Sequence, residues 1–550
     1  MRRQRSITGI LIAHFFRRFF DNDTVQVDGD TQTTVVRAVA IVAVPGMMFA
    51  FFLQNQYPRR PLWAGIEDRY FFVLFTFFVL GIVSVFEWDM LFPDKLDFLV
   101  LSPLSLRPIQ MLLAKAAALA GFLFVFLFGT NMFSVIMLPV VSRIDFLRHV
   151  VAYAVAVSMA GTFAALAVLA LGGVLLCVLD AARFRLVSPI LQALCTMALV
   201  LLLLHGIIFG GSLPALLAVP HGMARVVPPL WFLGVYEKLL LGNAAPAFAD
   251  GMTRDAIRGT ACVAMVVVLT YPLAWRRRAK AAIEGSSRRR GQPVRWLRRL
   301  VHAVIRRPSE RAIFHFIGQT IVRNNRYQVY LAMYCGSGLA LAVVSAVRMQ
   351  PGKAAIHLLL SQRGMHAVVP LLLFWLVAGL RMAFAFPLNL AAGWVFRVTG
   401  AGVSGCAAAA RKWALLCSCG LLGVGLIALR MAGWSGRVIA IQALCGVCLS
   451  ILLTDAFFSL HPSVPFNRPR MPGRTSFPLL LTLYFGILPV SLLWGIAFEV
   501  QMEKDLLKIV VPILVTAAIH AALAAVRRLP PEIEEEMEGY EGEFQLLGLS

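Results

Sequence analysis

Carboxylates and cations gather in one short stretch of a chain that is otherwise nearly free of them. Residues 86 to 121 read FEWDMLFPDKLDFLVLSPLSLRPIQMLLAKAAALAG. Charged side chains between apolar segments keep a connecting turn in water. The stretch therefore predicts a polar turn between two apolar segments. Its polar and proline residues of interest are Glu87, Asp94, Lys95, Asp97, Pro103, Arg107 and Lys115.

Three histidines, His205, His366 and His520, fall in apolar surroundings where an acid or base would be buried. None belongs to an HExxH motif, and no carboxylate is paired with any of them in the sequence. The pattern favours hydrogen bonding in the core over catalysis.

The nine cysteines show no pattern of extracellular disulfides. Cys445 and Cys448 form a CxxC motif, but both lie inside one apolar segment and no second pair accompanies them. This arrangement is typical of small residues in helix packing rather than of redox or metal chemistry. We expect no metal and no cofactor.

A nucleotide site is not predicted either. The chain has no GxxxxGK[ST] motif, and the nearest approach is Gly352-Lys353 without the other residues. We therefore expect that the chain is not an enzyme and that it hydrolyses no nucleotide itself.

The composition is that of a membrane protein. Of the 550 residues, 59% are hydrophobic and 14% charged, and the mean hydropathy is +0.78, which a soluble protein with a polar surface does not reach. The net charge of +23 would suggest nucleic acid in a soluble domain. In a membrane protein, topology and attraction to anionic lipid explain such an excess, so we expect no nucleic-acid partner.

The spacing of charges predicts the number of spans, because a helix needs about 20 mostly apolar residues to cross a bilayer. Six windows without Asp, Glu, Lys or Arg come before a polar gap, and six follow it. They lie between residues 37 and 59, 69 and 87, 115 and 143, 148 and 180, 185 and 225, 258 and 276, 326 and 348, 363 and 381, 412 and 430, 437 and 455, 474 and 499, and 508 and 527. The sequence thus predicts an all-α polytopic integral membrane protein with about 12 transmembrane helices.

The middles of these windows hold no charged residue. An ion-coupled carrier normally keeps a carboxylate deep in the membrane, so this pattern favours a conduit powered from outside the chain.

An even number of spans puts both termini on one side. Lys and Arg are more numerous in the segments assigned to the cytoplasm, which predicts that both termini are cytoplasmic.

The chain divides at an Arg-rich segment with Gly, Ser and Pro, which predicts a basic cytoplasmic linker over residues 276–308 that attracts anionic headgroups. Residues 1–275 are predicted to form a first six-span half with an N-terminal interfacial helix. Residues 309–529 are predicted to form a second interfacial helix and a second six-span half. Residues 530–550 form an acidic tail.

The two halves share a plan. The segment IAHFFRRFFDN near the start has a counterpart in IFHFIGQTIVRNN, and Phe92-Pro93 has one in Phe386-Pro387. Lys115, which opens the third window, corresponds to Lys412, which opens the ninth. Because each half has an even number of spans, the halves are expected to lie parallel.

The loop after the second window resembles the first intracellular loop of the permeases of type-2 ABC exporters. In that family a coupling helix after the second span docks on a separate ATPase, and a Leu-x-Pro element and a Lys that opens the third span follow it. The corresponding residues here are Glu87, DKLDFLVLSP with Pro103, and Lys115. The Gly-Thr usually found downstream of the loop glutamate is absent.

The resemblance also covers the interfacial helix and the long stretch between the fifth and sixth windows, which corresponds to the family's re-entrant external helices. In the second half the corresponding loop residues are Pro387, Arg397 and Lys412, and that loop lacks acidic residues. The resemblance implies a permease of the bacterial inner membrane, a cytoplasmic P-loop ATPase as partner, and export of an amphiphilic or lipid-like substrate. The alternatives are an ion-coupled or facilitated carrier, and a membrane anchor subunit that transports nothing.

Overall fold

The protein is an all-α polytopic membrane protein, as predicted, in a computed structural model of the chain. The structure describes residues 7–20, 64–88, 106–142, 145–208, 223–284, 307–351, 356–385, 403–431, 433–459 and 477–526, and a few isolated positions between these ranges. Within them, nine helices are long and apolar enough to cross a membrane.

Fifteen helices and one β-hairpin make up the described part of the chain. They are α1 (Ile7–Phe20), α2 (Ala64–Phe86), α3 (Pro108–Asn131), α4 (Ser134–Val141), α5 (Phe146–Val178), α6 (Ala181–Ile208), α7 (Pro228–Leu241), α8 (Phe248–Glu284), α9 (Pro308–Arg323), α10 (Asn325–Ala346), β1 (Val347–Pro351), β2 (Ile356–Leu360), α11 (Gln362–Ala385), α12 (Val403–Met431), α13 (Gly436–Ser459), α14 (Phe477–Lys504) and α15 (Val510–Val526).

The second to tenth predicted windows each fall in one of the nine long apolar helices, where α3 and α4 together supply one span. The last two windows fall in shorter apolar helices, Gly486–Met502 and Val510–Ala525. The first window is described only in part, over residues 39–40, 42–48 and 51–52. Twelve spans therefore stay a prediction.

The described helices form two compact units. Unit 1 contains α1 to α8, α10 and the hairpin, and unit 2 contains α9 and α11 to α15. The division is not linear along the chain, because α10 packs extensively against α6 of unit 1 although it follows the predicted linker. The first nine residues of that linker continue helix α8 as far as Glu284.

The contact between α6 and α10 is close. A Cβ atom placed on Gly336 of α10 would lie 2.4 Å from the carbonyl oxygen of Ala193 on α6. Only a residue without a side chain lets the two backbones approach in this way, which is the usual role of glycine between membrane helices. The antiparallel hairpin that follows α10 pairs Val347 with Leu360 and was not predicted.

Helix α1 packs along α3 through aromatic rings. Phe19 and Phe20 lie with their ring centroids 5.1 Å and 5.0 Å from that of Phe122, and Phe15, Phe19 and Phe20 are almost fully buried. The sequence predicts an interfacial helix in this segment. The helix is present, and α3 contributes to the protein surface that covers these three phenylalanines.

The same pairings of helices recur in unit 2. Helix α9 packs on α12 as α1 packs on α3, and α11 packs on α12 and α13 as α2 packs on α3 and α5. The pair of α9 and α12 is again aromatic, with the rings of Phe314 and Trp413 6.4 Å apart. A common plan of packing therefore accompanies the predicted common plan of sequence.

Candidate functional site

The predicted coupling loop is described only at its two ends. Asp94, Lys95, Asp97 and Pro103 lie outside the described residues, as do Pro387 and Arg397 of the second half. Glu87, directly after α2, is 3% exposed. Arg107, directly before α3, is exposed, and its backbone N–H donates to Gln110 Oε1 at 3.2 Å. Of these two end residues, only Arg107 therefore presents its side chain at the surface of the described chain.

Lys115 is buried beneath α1 rather than placed at the mouth of the loop. Its side chain is 3% exposed, and Nζ lies 5.5 Å from the centroid of the Phe15 ring. A cation over an aromatic face is attracted to the negative potential of the ring. In this position the lysine contacts the helix before the first predicted span.

Lys412 has an equivalent position in unit 2. Its ammonium group forms a salt bridge with Glu310 of α9, and Arg307 lies 3.6 Å from the same carboxylate. In both units, a lysine thus contacts the amphipathic helix that packs on its own helix. A contact of either lysine with an ATPase stays a prediction.

A buried ion pair, which the charge-free windows did not reveal, joins α2 and α7 in unit 1. Arg69 Nε donates to Glu237 Oε1 at 2.6 Å, and Nη2 lies 3.3 Å from Oε2. The side chain of Glu237 is fully buried and that of Arg69 is 10% exposed. Burial raises the pKa of Glu237 and the Arg69 guanidinium opposes this rise.

A chain of buried hydrogen bonds begins beside this ion pair. His149 Nε2 is hydrogen-bonded to the hydroxyl of Tyr236, the neighbour of Glu237, at 2.8 Å, and Nδ1 to the hydroxyl of Ser142. The ring of Tyr153 lies edge-on to that of Tyr236 at 6.0 Å, and its hydroxyl donates to Asn131 Oδ1 at 2.7 Å. The interior of unit 1 is therefore polar at one end of α2, α5 and α7.

Unit 2 has a buried acid–base pair of its own. His366 Nδ1 lies 2.7 Å from Glu499 Oε2, and the two side chains are 4% and 2% exposed. The indole of Trp434 stands edge-on to the imidazole with ring centroids 6.1 Å apart. His366 is therefore a hydrogen-bonded core residue, as predicted, but the inference that no carboxylate accompanies it was wrong.

His520 also has a carboxylate partner, Asp455, which is 3% exposed. Arg411 Nη1 lies 3.7 Å from the other carboxylate oxygen. His205 donates to the carbonyl oxygen of Leu201 in its own helix at 2.8 Å. Two of the three histidines thus contact an acid from a helix distant in sequence, which spacing along the chain does not show.

The basic members of the two buried pairs stand at corresponding places. Arg69 lies in the second turn of α2, and His366 lies in the second turn of α11, the helix with the equivalent packing in unit 2. Each pairs with a buried glutamate from a helix far along the chain. The sequence feature that could have indicated these pairs is a basic residue at the start of the second span of each half.

No group of three or more His, Cys, Asp or Glu that would hold a metal ion occurs among the described residues. All nine cysteines are free thiols, and Cys445, Cys448 and Cys406 are buried. Cys445 Sγ contacts Met502 Sδ at 3.9 Å, so the described environment of the CxxC motif includes a packing contact.

No family model, no curated protein and no solved structure matches the chain.

Proposed function

We propose that the chain is the permease of an ATP-driven ABC transporter and that a separate ATPase subunit supplies the energy. The fold supports a transporter-like membrane protein at the coarser level, since many apolar helices form two units with a polar interior. The observation that carries the finer proposal is the recurrence of one pairing in both units. An amphipathic helix packs on the helix that follows the predicted coupling loop and contacts a lysine of that helix.

This pairing suits a loop that must transmit a push. A conformational change passes between packed elements only if they move as a rigid body. Helix α3 follows the predicted coupling loop in the sequence, and α3 is joined to α1 by stacked phenylalanines. Displacement of the loop by a partner would therefore displace α1 and α3 together.

The proposed substrate is amphiphilic or lipid-like, and the proposed direction is outward. The described spans carry large exposed apolar side chains, which lipid contact explains. Two buried glutamates of the described chain are each paired with a base, in Arg69–Glu237 and His366–Glu499. An interior of this kind favours a substrate with a large apolar part over a small ion.

An ion-coupled carrier is the second candidate, and a specific observation favours it. The middles of the predicted windows hold no carboxylate, but Glu499 at the end of a window and Glu237 between two windows are buried. A buried carboxylate is the group that such carriers use to bind their coupling ion.

The experiment that separates the candidates is isolation of the tagged full-length chain from its own host in mild detergent. We expect a P-loop ATPase in the complex and ATP turnover that depends on this chain. Asp94→Lys combined with Asp97→Lys should abolish that turnover and leave the chain inserted and monodisperse, because both charges would face the partner.

The matched control reverses two other acidic residues that are predicted to be cytoplasmic, Glu534→Lys with Glu535→Lys, and should keep the turnover. A complex without an ATPase, or equal turnover in the loop variant and the control, would contradict the proposal.

A further inference from the structure

We infer that His366 and Glu499 form a proton-binding site in the interior of unit 2, which goes beyond the proposed function. The site binds one exchangeable proton between an imidazole and a carboxylate on helices α11 and α14. It would operate whether ATP or an ion gradient drives transport, because it rests on the chemistry of this pair alone.

The pair differs from the Arg69–Glu237 pair of unit 1 in the chemistry of its basic member. A guanidinium stays charged at any physiological pH, so Arg69–Glu237 is a permanent ion pair. An imidazole ordinarily changes its charge between about pH 5 and 8. At corresponding places, unit 1 therefore has a fixed charge and unit 2 has a group that gains and loses a proton.

Because the pair is buried, the number of protons that it binds sets the net charge inside unit 2. With one shared proton the pair is neutral overall, either as imidazolium with carboxylate or as imidazole with carboxylic acid. Removal of that proton to water leaves a net negative charge among apolar side chains, and addition of a second proton leaves a net positive one. An uncompensated buried charge is costly, so each change of protonation favours rearrangement of α11 against α14.

The structure describes further polar groups in this part of unit 2. On α13, Cys445 lies close enough to Glu499 for an electrostatic interaction. The amide of Gln442, one turn before Cys445, has no hydrogen-bond partner for either polar atom among the described residues. Charged residues near the ends of these helices include Arg430 and Arg437 on α12 and α13, and Asp505 and Lys508 after α14.

Trp434 offers a local optical probe, because its ring lies 6.1 Å from that of His366. A protonated imidazole quenches the fluorescence of an adjacent indole, whereas the neutral ring quenches it much less. The contribution of Trp434 is the difference between the full-length protein and its Trp434→Phe variant. The other nine of the chain's ten tryptophans cancel in that difference.

The experiment is a fluorescence titration of the purified full-length chain in phosphatidylcholine vesicles. We expect the Trp434 contribution to rise with pH in a single step within the pH range over which gel filtration shows the protein folded. His366→Arg, which installs a permanently charged base as in unit 1, should abolish the step. Glu499→Gln should shift its midpoint, because the imidazolium loses its counter-charge.

Two variants complete the design. His520→Gln removes the other acid-paired histidine of unit 2, whose partner Asp455 lies 21 residues after Trp434 on α13, roughly 30 Å along the helix axis. It should leave the step unchanged. His366→Gln should also abolish the step, and it serves in place of His366→Arg if gel filtration shows that the arginine variant aggregates.

Persistence of the step in His366→Gln would overturn the inference, since another group would then be responsible. Absence of a step from the wild-type contribution of Trp434 would overturn it too. A step that is lost in His520→Gln would assign the proton to the pair formed with Asp455 and would equally contradict the proposal.

Discussion

The ion pair between Arg69 and Glu237 should make the stability of unit 1 depend on both residues together. The carboxylate is fully buried and accepts two contacts from one guanidinium. Removal of one partner from such a pair typically costs about 3 to 5 kcal/mol, whereas replacement of both by apolar groups is often neutral or stabilising. The 10% exposure of Arg69 lets some water reach the pair, so we expect about 3 kcal/mol for Glu237→Leu.

The assay is a double-mutant cycle of thermal unfolding in detergent, followed with a thiol-reactive dye. Cys195 and Cys335 are half-buried in α6 and α10 of unit 1, so their reaction reports the unfolding of that unit. Glu237→Leu and Arg69→Met should each lower the midpoint by roughly 6 °C, at about 2 °C per kcal/mol for a unit of this size. The double variant should unfold within about 2 °C of the wild type.

The pH dependence of Arg69→Met provides a second test. Without the guanidinium, burial alone acts on Glu237 and raises its pKa in the folded state above the unfolded value. The folded variant then binds the proton more tightly than the unfolded chain. Its stability should therefore increase as the pH falls from neutral towards the ordinary carboxyl range and decrease as the pH rises. Additive losses in the cycle, with no dependence of this sign, would show that the pair is not desolvated and would refute the reasoning.

Three other predictions concern packing and topology. Gly336→Ala should destabilise unit 1 by about 1 to 3 kcal/mol, because the new methyl group would lie 2.4 Å from a carbonyl oxygen of α6. Gly121→Ala on α3 is the matched control in the same unit. It should not destabilise unit 1 in the same assay, because its methyl group would make an ordinary contact at 3.5 Å with the Phe16 ring. Phe20→Ala should detach α1 from α3, because it removes a fully buried ring at a cost of about 3 to 5 kcal/mol. Limited proteolysis measures the detachment: the N-terminus should be cleaved faster in Phe20→Ala than in the control Ile7→Ala, which changes an exposed residue. A single cysteine placed at Ser287, in a chain without its native cysteines, should not react with an impermeant maleimide in intact cells, because the linker is predicted to be cytoplasmic. Reaction of that cysteine would contradict the predicted orientation.

The spacing of charges predicted most of the helices correctly because hydrocarbon penalises charge at every position in the same way. This reasoning concerns single segments, so it found α2, α5 and α13 without alignment to any other protein. This reasoning failed where a charged residue of one segment pairs with an opposite charge from another segment. Arg69 and Glu237 are 168 residues apart, and each bounded or lay outside a charge-free window, so neither was recognised as part of an interior site.

The β-hairpin of residues 347–360 was missed for a different reason. Its first strand holds an arginine and ends at a proline, and the connecting residues include Gly352 and Lys353, a composition typical of a loop. The pairing of Val347 with Leu360 depends on the register of two strands rather than on alternation within one. The candidate coupling residues were predicted by resemblance, and only Glu87, Arg107, Lys115 and Lys412 lie in the described part of the chain.

The packing of α10 against α6 has a consequence for biogenesis. The ribosome releases residues 1 to 284 well before α10, so the first eight helices reach the bilayer while the face of α6 around Ala193 still lacks the helix that covers it. A gene split at the linker would leave that face open in the first product, and the second product would begin with a helix that belongs to the other unit. Co-translation of both fragments in one cell should restore the assembly, whereas the first fragment alone should be recognised by membrane quality-control proteases and degraded.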